Sequence, residues 1–204
     1  MARQQLLRIV AAASLVMGCG LAAAQTYTGA PGAATWVSKQ GISGWAVQGG
    51  ATGDEIDVGE TLTASFAGPV LISAFSLGVL YDGPEFGDPH EKAQFTAFLG
   101  GQQVGQWTFT ATGTTTGVLS GPGSYLNLSP AAQPGAGLWQ IADPFGKLWV
   151  DKIQFTALSQ SRYGNNSDYI VSSVTAVPEP GSVVLMLAGL GAVGFVARRR
   201  KDRA

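Results

Sequence analysis

Apolar positions away from the two chain ends fall in short runs, and the period that recurs is two, not the three and a half of a helix. Turn residues punctuate the runs at Gly49-Gly50, Gly68-Pro69, Asp82-Gly83-Pro84, Gly100-Gly101, Gly121-Pro122-Gly123, Asp143-Pro144 and Gly164-Asn165-Asn166. They leave strands expected over 43–48, 60–67, 70–81, 92–99, 103–111, 114–119, 137–142, 147–158 and 168–176. In the eighth of these, Trp149, Ile153, Phe155 and Ala157 share one face and Lys152, Gln154 and Thr156 the other, while Asp151 breaks the row. Pro69 and Pro144 stand at strand starts, where a missing N–H is tolerated. No segment between the ends sustains a helical period with caps. Seven or more short strands at this spacing predict an all-β fold, a jelly-roll-like β-sandwich. The irregular loops argue against an up-and-down barrel.

The two ends break the pattern with continuous apolar runs. At the N-terminus Arg3 and Arg8 precede an apolar stretch over 9–21, and Ala22-Ala23-Ala24 forms a small-residue site. That order is a signal peptide, with cleavage between Ala24 and Gln25 by signal peptidase after Sec export. A competing reading takes Val16-Met17-Gly18-Cys19 as a lipobox and places a lipid on Cys19. At the C-terminus Val177-Pro178-Glu179-Pro180 precedes an apolar run over 181–197, followed by Arg198, Arg199, Arg200 and Lys201. Seventeen residues make a helix of roughly 25 Å, near the lower limit for spanning a bilayer core. The basic cluster stays cytoplasmic, so the body of the chain faces outward. Pro178 and Pro180 favour an extended, exposed segment accessible to a processing enzyme. The chain therefore divides into a signal peptide (1–24), an extracytoplasmic β domain (25–176) and a C-terminal tail (177–204).

This tail, with its Pro178-Glu179-Pro180 motif, short apolar helix and terminal basic cluster, resembles the PEP-CTERM sorting signal. The resemblance implies recognition by an exosortase, a membrane peptidase of Gram-negative bacteria that make exopolysaccharide. It also implies cleavage near the motif and transfer to the cell surface or matrix. The domain itself is similar to those of other PEP-CTERM proteins in four places. These are Gly53-Asp54-Glu55-Ile56-Asp57 leading to Glu60-Thr61-Leu62, then Leu80-Tyr81-Asp82-Gly83-Pro84-Glu85-Phe86-Gly87-Asp88, and last Pro144-Phe145-Gly146 with Ser167-Asp168-Tyr169. That likeness bears on architecture and carries no mechanism.

Setting the ends aside changes the charge. The formal net charge of the chain is −1, but residues 25–180 hold only Lys39, Lys92, Lys147, Lys152 and Arg162 against 12 of the 13 acids, a net of −7. Such a domain repels phosphate backbones, which argues against nucleic acid as a partner. Cys19 is the only cysteine and falls in the signal peptide, so the domain has no disulfide and relies on its core.

Eight acids crowd into 54–91, and Asp82, Glu85, Asp88 and Glu91 recur every third residue through a Gly/Pro-containing loop. Oxygen ligands on an irregular loop suit a structural Ca²⁺. The plainer reading is a solvated acidic loop in which Asp82 and Asp88 serve turns. No EF-hand spacing is present. His90 is the only histidine, which leaves zinc short of ligands, and no nucleophile elbow is present for a serine triad. A glycosidase needs only two carboxylates, and Asp82/Glu85 or Asp54/Glu91 are the pairs that could be drawn. Tyr125 and Tyr163, in Gly/Ser/Asn-rich segments, are the expected surface platform for sugar rings, while Trp107, Trp149 and Phe155 are expected in the core. These features together predict a non-enzymatic surface or matrix protein associated with exopolysaccharide. A carbohydrate-binding, adhesin-like module is the first alternative and a glycoside hydrolase the second.

Overall fold

The computed structural model describes residues 25–50, 52–82, 90–129, 137–159, 167–178, 186–193 and 198. The fold is all-β. Eleven strands run β1 (Gln25–Ala30), β2 (Ala34–Lys39), β3 (Ile42–Val47), β4 (Thr61–Gly78), β5 (Lys92–Leu99), β6 (Gln102–Ala111), β7 (Gly117–Leu119), β8 (Ser124–Asn127), β9 (Trp139–Ala142), β10 (Val150–Ala157) and β11 (Ile170–Pro178). All pairings between them are antiparallel, and they join into one hydrogen-bonded sheet.

β4 organises that sheet. Its first half pairs with β1 (Ala64 opposite Tyr27) and β10 (Ala64 opposite Ile153). Its second half pairs with β11 (Leu77 opposite Val171) and β9 (Leu77 opposite Trp139). One side of the sheet therefore reads β1, β4, β10, β5, β6, β7, and the other β2, β3, β11, β4, β9, β8. Rings on strands that share no hydrogen bonds meet between the two. Phe75 on β4 lies edge-on to Phe95 of β5 at 4.9 Å, and Trp139 on β9 meets Phe109 of β6 at 5.1 Å. Phe75, Phe95, Phe145 and Phe155 are buried together, and burying four such rings is a large apolar contribution to this core.

The expected break at Gly68-Pro69 is not a strand end. The strands expected over 60–67 and 70–81 are joined in the single strand β4, which ends at Gly78, and Gly68-Pro69 is a corner inside it. The ladders with β1 and β11 stop at Phe66 and resume at Val70, so Pro69 has no ladder bond to lose. The burial phase of β4 also slips once. Leu62, Ala64, Phe66, Val70 and Ile72 face inward at even positions, whereas Phe75 and Leu77 do so at odd ones. A bulge at Ser73, where the pairing jumps from Ile72–Ala176 to Ala74–Thr175, adds the residue that reverses the phase. A similar shift between Val150 and Lys152 explains the polar residue that broke the alternation in β10. Asp151 occupies the irregularity, and its Oδ2 accepts the Gly100 amide at 2.6 Å at the β5–β6 turn. Phe155 is core as expected, but Trp107 and Trp149 are only half-buried.

Three strands fall outside the expected set. β1 and β2 are short and open to solvent on alternate positions, and β8 lies in a stretch that reads as loop because Gly121-Pro122-Gly123 precedes it. Gly123 has φ +96°, and a Cβ there would stand 2.1 Å from the Ala142 carbonyl oxygen, so glycine is required for β8 to reach β9.

Candidate functional site

Two regions carry the residues singled out by sequence. They lie at opposite ends of β11, because Ile170 pairs with Gly78 at one end and Pro178 with Val70 at the other. Eight residues of strand separate them, or about 26 Å.

At the first end, the acidic segments close loops. Glu91 is buried, its carboxylate accepts the Tyr81 amide, and its own backbone bonds Tyr81 and Ala111. The Asp82 Oδ1 accepts the His90 amide at 2.7 Å and stands 2.8 Å from the His90 Nδ1. Asp82 thus bonds across to His90 and Glu91 to Tyr81, and His90 is exposed. Glu85 and Asp88, the other proposed calcium ligands, lie outside the described residues. Among the described residues no group of three His, Cys, Asp or Glu side chains is arranged to hold a metal ion.

A second acidic knot was less visible from sequence. Asp57, Glu55 and Glu60 are all buried. The Thr52 hydroxyl lies 2.7 Å from both Glu55 Oε2 and Asp57 Oδ1, and Glu60 Oε2 accepts the Asp57 amide at 3.0 Å. Lys39 pairs with Glu55 at 3.0 Å. Asp54, drawn earlier as half of a carboxylate pair, accepts the Gly49 amide at 3.0 Å. These groups fix the turn that delivers the Ile56 amide to the Tyr169 carbonyl at 2.8 Å. Tyr169 is fully buried, which pushes its phenol up, and its hydroxyl donates to the Thr156 carbonyl at 3.0 Å. The segments Gly53 to Leu62 and Ser167 to Tyr169 therefore meet through the Ile56–Tyr169 bond, while Tyr81-Asp82 is fastened to His90 and Glu91. The Ser167 hydroxyl accepts the Lys92 amide at 3.1 Å.

Of the two tyrosines expected as a sugar platform, Tyr163 lies outside the described residues. Tyr125 packs its ring on Phe109 and Trp139, and its hydroxyl accepts the Gly117 amide. Tyr125 is nonetheless 37 % exposed, and among the described residues Trp36 on β2 is more open still, at 55 %. It meets Trp45 edge-on at 5.5 Å, and Trp45 stacks on Tyr27 at 4.7 Å. Burial there pushes the Tyr27 phenol up to about 12. Sequence alternation missed this trio because it joins β1 to the β2–β3 hairpin, and two of those three strands were not expected.

At the other end, Ala176, Val177 and Pro178 pair with Ile72, Leu71 and Val70. The sheet thus runs into the Pro-Glu-Pro motif, where an exposed connecting segment was expected. Glu179 and Pro180 lie outside the described residues. A helix, α1, covers 186–193 with Met186, Leu187, Leu190 and Val193 all exposed. Among the described residues no helix is long and apolar enough to cross a membrane. Arg198 is exposed, whereas Arg199, Arg200 and Lys201 lie outside the described residues, as does Ala24. Gln25 opens β1 opposite Phe66.

A family model of the PEP-CTERM protein-sorting motif matches residues 176–201. The tail is thus a PEP-CTERM sorting motif, the mark of an exported protein sorted by an exosortase. No curated protein and no solved structure matches the chain.

Glu60 supplies a test of the acidic knot. Burial, followed by the neighbouring Asp57 and Asp54 charges, raises its carboxyl above the ordinary 4.5 against a lowering by the Asp57 amide. The folded state then prefers the protonated acid. Stability from this preference is complete below 4.5 and lost as pH rises through the raised value. Glu60→Gln keeps an acceptor for the Asp57 amide and removes the charge. Its stability relative to the native chain should therefore rise between about pH 4 and about pH 7 in denaturant titrations. A gap that stays constant over this range contradicts the assignment.

Proposed function

We propose that this chain is a non-enzymatic surface or matrix protein whose jelly-roll-like β domain is exported and processed by an exosortase. The single observation that carries the reading is the sorting-motif match over 176–201, continuous with the last strand of the domain. In this reading the segment 1–24 directs Sec export and is removed by signal peptidase before Gln25. The run over 181–197 spans the membrane with Arg198, Arg199, Arg200 and Lys201 on the cytoplasmic side, and the exosortase cuts near Pro178-Glu179-Pro180. The product is retained at the surface or with exopolysaccharide. Support for a structural role comes from the use of the acids: Asp82, Glu91, Asp54, Glu55, Asp57 and Glu60 all bond backbone or side chains that close loops. Deleting 181–204 removes the anchor and leaves β11 intact. The domain should then appear in the medium, read by immunoblot of cell and medium fractions. Undiminished cell-surface retention contradicts the sorting role of the tail.

A second reading, carbohydrate binding, is favoured by one feature, the exposed Trp36 beside Trp45 and Tyr27. An indole face covers the apolar face of a sugar ring, and Ser38 and Ser43 lie next along the same face of the β2–β3 pair. Trp36→Ala should weaken retention on the host's own polysaccharide by about tenfold in affinity electrophoresis, the equivalent of one lost aromatic stack with its buried area. Equal migration of both chains removes this reading.

A further inference from the structure

The junction between domain and tail has no slack. Core residues Ile170 and Val171 open β11, and the same strand continues through Pro178, the third residue of the sorting motif. Ala176 packs against the main core, Val177 is half exposed, and all three residues from Ala176 to Pro178 are matched to β4 at Ile72, Leu71 and Val70. Pro178 brings no N–H, so the ladder weakens toward its end. On its other edge β4 is held at Val70 by Val150 of β10 and cannot follow β11 outward.

A peptidase that reads an extended segment does so by pairing with its backbone and by filling pockets with alternate side chains. Around Ala176–Pro178 the backbone is already paired with β4. The segment cannot serve both partners at once. We propose that the β11–β4 ladder masks the start of the sorting motif, so that Ala176–Pro178 must peel from β4 before the chain can be processed. This rests on the processing reading above. The opening is local. It breaks the terminal pairs of one strand and leaves Ile170, Val171 and the aromatic core in place, and such end-fraying draws on the low end of a protein's opening energies. Processing then runs at a rate set by how often the strand end is free, and any change that tightens or loosens this ladder alters that rate with no change in the motif.

The test locks the ladder. Leu71 and Val177 are direct partners, and directly opposed residues in an antiparallel pair lie about 4.5–5.5 Å apart, within disulfide range. The native chain has no cysteine besides Cys19, so a Leu71→Cys/Val177→Cys chain has one possible bridge in the exported domain. Expressed at full length in the host, the bridged chain should accumulate unprocessed, and dithiothreitol should restore cleavage. The two single variants should be processed like the native chain. A second variant inserts six Gly/Ser residues between Thr175 and Ala176, which frees the motif and leaves β11 paired to Thr175. It should be processed several-fold faster than the native chain in a pulse–chase. A bridged chain cut at the native rate, or an insertion that leaves the rate unchanged, overturns the mask while leaving exosortase processing intact. No cleavage of the native chain or of the insertion variant overturns the processing reading, and the mask with it.

Discussion

β4 is held along both edges on each side of its corner, by β1 and β10 before Gly68-Pro69 and by β11 and β9 after it. The rest of the molecule follows from that constraint. Because one strand belongs to both sides of the sheet, the two sides are fixed relative to each other by backbone bonds as well as by the Phe75, Phe95 and Phe155 contacts. The Ser73 bulge is needed for the same reason. Without the extra residue, Phe75 and Leu77 would face solvent, and the core would lose the ring at its centre. The exported domain has no cysteine, and this double pairing does what a cross-link does in smaller secreted folds.

The all-β character was legible because most strands are one-sided. β5 and β6 show their alternation in the sequence, and the structure places them within a residue of where the pattern put them. The corner in β4 was not legible. Gly-Pro reads as a turn in any local analysis, and only the pairing of flanking residues with four other strands makes it a bend inside one strand. Asp151 looked like a flaw in β10 for a related reason, since its partner, the Gly100 amide, is distant in sequence. β8 was hidden because its register depends on Gly123 passing close to the Ala142 carbonyl.

The acids were legible as a concentration and not as an arrangement. Spacing showed that they gather between residues 54 and 91. It could not show that Glu91 turns inward to the Tyr81 amide, that Asp82 turns toward His90, or that Glu55 and Asp57 share the Thr52 hydroxyl. A carboxylate that satisfies a backbone N–H at a loop base lowers the cost of burying that donor. Asp54, Glu60, Asp82 and Glu91 each accept such a bond. The sorting motif was legible because its recognition lies in residue order, and the family match over 176–201 falls on that segment. What the order concealed is that the motif starts inside a strand.

Domain and tail together describe a compact exported body joined without slack to the segment that directs its sorting. The most direct test is the intact mass of the mature protein isolated from its host, with the fraction recorded. The account predicts a chain that begins at Gln25, ends near Pro178-Glu179-Pro180 and is found at the cell surface or in the matrix. A mass that retains residues 181–204, in protein recovered with the membrane, contradicts it.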